Sequence, residues 1–88
     1  MSKKAFIIGI TGQDGAYLSR FLLDKNYLVY GYTRSVSKKN LLNLNILKTI
    51  NNVKIYQYLE SNPKKILNDI KRLQPNEIYY FSGPSSVK

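Results

Sequence analysis

The 88-residue sequence contains no cysteine and no histidine. Disulfide scaffolds, thiol nucleophiles, zinc fingers, iron–sulfur sites and Ser-His-Asp or Cys-His machinery are all excluded within it. Acid is scarce: 5 Asp+Glu stand against 14 Lys+Arg, for a formal net charge of +9. No apolar run approaches the ~18 residues that a membrane-spanning helix requires. The start, Met1-Ser2-Lys3-Lys4, leads into too short an apolar stretch for a secretory signal, so a cytoplasmic protein is expected. A chain of this length is one small domain at most, with a marginal core.

The positive charge has two readings. A basic surface suits nucleic acid or an anionic ligand. Here 11 of the 14 cations are lysine, spread over both halves of the chain with no long block. That spread reads as a solvated surface and argues against nucleic acid as the partner.

Strand-like and helix-like segments alternate along the chain. Ala5-Phe6-Ile7-Ile8 is a continuous apolar run, as in a strand buried on both faces. After the glycine-rich stretch 9–15, Tyr17, Leu18, Phe21 and Leu22 recur at helical spacing, with Ser19, Arg20, Asp24 and Lys25 expected on the other side. Asn26 is placed to close that helix in the left-handed conformation. Leu28 to Tyr32 reads as a second strand and Arg34 to Asn40 as a polar loop. In the stretch 41–52, Leu41, Leu44, Leu47 and Lys48 fit one helical face, but four asparagines weaken it. Val53 to Tyr58 alternates as a third strand. Ser61-Asn62-Pro63 is a helix start, with Ile66, Leu67, Ile70 and Leu73 as its apolar stripe and Gln74-Pro75 as its stop. Glu77 to Phe81 is a fourth strand, followed by a loop at 82–86.

This order implies an α/β fold: the N-terminal half of a doubly wound, parallel, Rossmann-type sheet, four strands with flanking helices and strand order 3-2-1-4. Residues 1–88 are therefore expected to form part of an NAD(P)-binding domain, with the rest of that domain and a substrate domain outside them.

Gly9, Gly12 and Gly15 fall between the first strand and the first helix. In a dinucleotide-binding turn the first glycine permits the bend, and the second lets backbone approach a pyrophosphate. The third lets the helix pack closely on the strand. The helix N-terminus then offers N–H groups and partial positive charge to the phosphates. At the end of the second strand an NAD site usually carries an acid for the ribose hydroxyls. The sequence has none between Asp24 and Glu60, and carries Arg34 and Ser35 instead. A guanidinium and nearby hydroxyls suit the 2′-phosphate of NADP.

These residues carry a family resemblance. Gly9-Ile10-Thr11-Gly12-Gln13-Asp14-Gly15-Ala16-Tyr17-Leu18 resembles the opening turn of the GDP-mannose 4,6-dehydratases, extended short-chain dehydrogenases/reductases. Phe21-Leu22-Leu23, Asn26 to Gly31, Arg34-Ser35, Leu73 to Tyr79 and Gly83-Pro84-Ser85-Ser86-Val87 extend it. The resemblance implies NADP held by Gly9, Thr11, Gly12, Gln13, Asp14 and Gly15 at the pyrophosphate. It places Arg34 and Ser35 at the 2′-phosphate, and Leu59 and the loop of Gly83, Ser85 and Ser86 along the rest of the cofactor. It also implies a GDP-mannose-type nucleotide sugar as substrate and a homo-oligomer at full length.

The sequence departs from the family pattern at several points. Tyr58 stands where the family has an aspartate that contacts adenine, offering a ring for stacking instead. Ile8, Tyr80 and Pro84 are further replacements. The superfamily's Tyr-x-x-x-Lys pair is absent: the nearest match, Tyr30, has Arg34 four residues on. No catalytic residue is therefore assigned within residues 1–88. A related nucleotide-sugar reductase or epimerase, and a non-catalytic dinucleotide- or nucleic-acid-binding module, are the alternatives.

Overall fold

A computed structural model describes residues 3–34, 41–58 and 64–81. The elements run β1 (Lys4–Ile8), α1 (Gln13–Asp24), β2 (Leu28–Thr33), α2 (Leu42–Ile46), β3 (Lys54–Gln57), α3 (Lys64–Leu73) and β4 (Glu77–Tyr80). All three strand pairs are parallel, in the order β3-β2-β1-β4. This is the topology expected from the alternation of segments. The chain moves outward from β1 to β3, then returns past β1 to add β4 on the other side. That reversal makes a switch point at the carboxyl end of β1.

Strand pleating sends alternate residues to two different layers. Ala5, Ile7 and Val29 pack into one cluster with Ile10, Ala16, Leu22, Leu44 and Val53, under α1 and α2. Phe6, Tyr30 and Tyr32 face the other way and meet Tyr58 and Ile66, under α3. That second layer is aromatic: the Phe6 ring lies 5.4 Å from Tyr30 and 5.3 Å from Tyr32, and Tyr56 lies 5.5 Å from Tyr32. All three pairs are tilted, as aromatic quadrupoles prefer.

Tyr58 is therefore a core residue, 8% exposed. Its packing with Phe6, Tyr30, Tyr32 and Ile66 removes it from the stacking role expected of it.

Two further expectations are corrected on α1. The helix starts at Gln13, within the glycine stretch, and its buried residues are Gly15, Ala16, Ser19 and Leu22. Tyr17 and Phe21 are 57% and 56% exposed, whereas Ser19 is fully buried. The cause is the close approach of the first turn of the helix to the peptide leaving β1 at Gly15, which turns Ala16, Ser19 and Leu22 inward and leaves Tyr17 and Phe21 on the flank. Ser19 satisfies its hydroxyl by donating to the Ala16 carbonyl at 2.6 Å, with Thr49 Oγ1 at 3.4 Å. On α3, Ile66 is buried and Ile70 and Leu73 pack on the core, but Leu67 is 53% exposed. The proposed helix start at Ser61-Asn62-Pro63 lies outside the described residues.

The stretch 41–52 forms a short helix followed by turns. Leu44 is fully buried, with Leu41 and Leu47 packed against the same cluster. Lys48 is not on that face; it follows the helix at φ 60. Asn26 and Gln74, just after α1 and α3, have φ 68 and 49. Each helix thus ends on a left-handed residue that is not glycine.

Asp69 of α3 ties that helix to β2. The Tyr32 hydroxyl donates to its carboxylate at 2.7 Å, and Arg72 donates at 3.0 Å. Burial pushes the Asp69 carboxyl up, but those two hydrogen bonds and nearby Lys65 outweigh it and hold the group below the usual carboxylate range. Burial, then the bond to Asp69, raises the Tyr32 phenol.

Candidate functional site

The glycine turn leaves the carboxyl end of β1 and runs into α1. Gly9 adopts φ 93, which L side chains rarely tolerate. Its N–H donates to the Tyr32 carbonyl at 2.8 Å, with the Ile10 N–H at 3.3 Å from the same oxygen. Ile10 is fully buried and anchors the turn in the core. Gly15 lies so close to the turn that a Cβ there would stand 2.4 Å from the Gly9 carbonyl oxygen and 2.8 Å from Ile10 Cα. The close helix–strand packing expected of the third glycine is present.

Gly12 is different. Its backbone is extended at φ −71, ψ 167, a region open to any residue. A Cβ there would make only an ordinary 3.5 Å contact with the Gly9 carbonyl oxygen. Nothing among the described residues demands glycine at this exposed position. It is the N-cap of α1 and makes no side-chain cap hydrogen bond. The first N–H groups of this 12-residue helix thus receive no capping side chain from the N-cap residue. Gln13 and Asp14 are exposed in the same first turn.

Thr11 joins the turn to the end of β2. Its hydroxyl lies 3.0 Å from that of Thr33, and either one can donate. Its carbonyl accepts from Asn43 Nδ2 of α2 at 3.3 Å. Arg34 follows Thr33 at the same edge of the sheet and is exposed. Its carbonyl accepts from Gln57 Nε2 of β3 at 3.0 Å. The sequence reading missed Thr33, Asn43 and Gln57. They lie 22, 32 and 23 residues from their partners, and no short motif signals such contacts. Ser35, Leu59, Gly83, Ser85 and Ser86 lie outside the described residues.

Thus the turn and Arg34 share the carboxyl edge of a parallel sheet, where ligands of open α/β folds bind. A cleft of about 920 Å³ opens at the opposite edge, against Lys3, Arg20, Lys25, Asn26 and Asn52. Two of its cations are engaged locally: Arg20 with Asp24, and Lys25 over the Phe21 ring. Among the described residues no cluster of His, Cys, Asp and Glu is arranged to hold a metal. No helix among them is long and apolar enough to cross a membrane.

Sheet order, switch point and glycine turn together define a Rossmann-type α/β fold. Solved structures share it. The NAD+ complex of the Bordetella bronchiseptica enzyme WbmH aligns with TM-score 0.75 at 24% identity, covering 100% of this chain and 28% of that one. A putative epimerase from Burkholderia cenocepacia aligns with TM-score 0.70 at 15% identity, covering 96% of this chain and 26% of that one. The family model for GDP-mannose 4,6 dehydratase matches residues 6–88. The chain belongs to that family. It is 38% identical to the GDP-mannose 4,6-dehydratase of Yersinia enterocolitica over 97% of its length, and 37% identical to the Homo sapiens enzyme over 96%. It spans about a quarter of those relatives' length, 24% in both cases.

Proposed function

We propose that the chain is the cofactor-binding N-terminal part of an NADP-dependent GDP-mannose 4,6-dehydratase. The observation that carries this reading is Gly12: a glycine that the fold itself does not require, at an uncapped helix N-terminus on the ligand-binding edge of the sheet. A pyrophosphate lying against that backbone explains why a side chain is absent there. Family membership supplies the substrate class, GDP-mannose.

In this reading the turn from Gly9 to Gly15 holds the pyrophosphate through backbone N–H groups and the α1 dipole. Arg34 pairs with the adenosine 2′-phosphate, with Ser35 beside it. Leu59, Gly83, Ser85 and Ser86 complete the cofactor's surroundings. NADP, when bound, supplies the hydride acceptor and donor for converting GDP-mannose to GDP-4-keto-6-deoxymannose with loss of water. The acid–base residues for that chemistry are assigned to no position within residues 1–88. The full-length protein is a cytoplasmic homo-oligomer in this reading.

The test measures NADP and NAD affinity of the full-length protein and of its Arg34→Ala variant, and assays the purified protein with GDP-mannose. Formation of the 4-keto-6-deoxy product, with NADP weakened more than NAD in Arg34→Ala, supports the reading. Equal weakening removes the 2′-phosphate assignment, and an inert GDP-mannose removes the dehydratase assignment.

A further inference from the structure

We propose that Gln57 and the Thr11–Thr33 pair are positioning residues that set the preference for NADP over NAD by fixing Arg34 relative to the glycine turn. The proposal rests on the reading of Arg34 as the 2′-phosphate ligand. The geometry that carries it lies at the end of the β2–β3 ladder. Among the described residues, the last backbone rung there joins the Tyr58 N–H to the Thr33 carbonyl at 3.0 Å. The next carbonyl along β2 is that of Arg34, at the point where the chain leaves the sheet. The Gln57 side chain reaches across from β3 and donates to it at 3.0 Å. A side chain thus adds one more rung, on the residue whose guanidinium is to meet the phosphate.

The other side of the same strand end is held by the turn. Thr33 is 2% exposed, and its hydroxyl lies 3.0 Å from that of Thr11, between Ile10 and Gly12. Asn43 fixes the Thr11 carbonyl from α2. A pyrophosphate on the turn and a 2′-phosphate at Arg34 belong to the same adenosine half of the ligand, joined through one ribose, so the spacing between their two sites affects whether both are met at once. Long arginine side chains lose much rotamer freedom when they bind. A backbone held on both sides confines the guanidinium to one neighbourhood and lowers that cost. NAD lacks the 2′-phosphate and draws no benefit from the arrangement.

The experiment measures dissociation constants for NADP and NAD by calorimetry on the full-length protein. The variants are Gln57→Met, Thr33→Val and Thr33→Ser, each also made in an Arg34→Ala background. Gln57→Met and Thr33→Val keep size and strand character while removing the polar contact. Each is expected to lower the NADP:NAD affinity ratio about three- to tenfold, the scale of one hydrogen bond. Thr33→Ser, which keeps the hydroxyl, restores the ratio. In the Arg34→Ala background neither substitution changes the ratio further. Equal weakening of both dinucleotides, an unchanged ratio, or the same loss without Arg34 overturns the proposal. If Arg34→Ala itself leaves the ratio unchanged, the 2′-phosphate reading fails and this proposal with it. If Arg34→Ala lowers the ratio and Gln57→Met and Thr33→Val do not, only the positioning proposal fails.

Discussion

A Cβ on Gly15 would stand 2.4 Å from the carbonyl oxygen of Gly9. The first turn of α1 is pressed against the peptide that leaves β1, and both partners are backbone. Gly15→Ala therefore has no flexible side chain to displace and must push the helix off the sheet. The expected loss of stability is about 1–3 kcal/mol, at the upper end because backbone must yield. Chemical denaturation of the full-length protein checks it; an unchanged midpoint contradicts the packing described.

Gly12→Ala is the contrasting case. The position is extended and exposed, with only a 3.5 Å contact awaiting a Cβ. Its unfolding free energy is expected to stay within about 1 kcal/mol of the parent, the scale of an N-cap change. Comparing the thermal midpoints of the Gly12→Ala and Gly15→Ala variants separates a glycine required by the fold from one required by a ligand.

Asp69→Ala leaves the phenol of Tyr32, a fully buried residue, without its acceptor. A cost of about 1–3 kcal/mol is expected. Asp69→Asn keeps an acceptor and is expected to cost less at neutral pH. The pH dependence has a definite sign. The carboxyl sits below its ordinary value of 3.8 in the folded state, so its contribution is present above that pH. It is lost as pH falls through the lower folded value. The stability gap between parent and Asp69→Asn should close in acid, below about pH 4. Glu77 acts with the same sign, since hydrogen bonds from Tyr79 and Tyr27 hold it low. Denaturant titrations between pH 3 and 7, at the scale of ordinary carboxyl titration, read both; a gap that widens in acid contradicts the assignment.

Lys48 carries a left-handed backbone at φ 60 where α2 ends. Lys48→Gly removes the Cβ strain and is expected to stabilise the protein by about 0.5–1 kcal/mol, part of which the more flexible unfolded chain takes back. A lowered thermal midpoint contradicts it.

The strand order and the glycine turn were legible because they depend on local patterns. Apolar runs such as Ala5 to Ile8, separated by helical segments, leave a parallel sheet as the consistent solution. Gly9 and Gly15 answer demands within a few residues of themselves. The buried face of α1 was not legible, because the Gly15 contact inverts the usual rule. It turns Ala16, Ser19 and Leu22 inward and leaves the large Tyr17 and Phe21 on the flank. Tyr58 was misread for a related reason: its amphipathic ring suits a ligand or a core, and only the fold places it among Phe6, Tyr30 and Ile66. The brace around Arg34 depends on contacts between separate elements, which periodicity does not encode.

Binding of NADP to the full-length protein and to its Gly12→Val variant tests the central claim most directly. The variant is expected to keep its thermal midpoint within a few degrees, the scale of about 1 kcal/mol in a small domain. It is expected to lose NADP binding, because a branched side chain then stands where the pyrophosphate lies. A stable Gly12→Val protein that binds NADP as tightly as its parent contradicts the account.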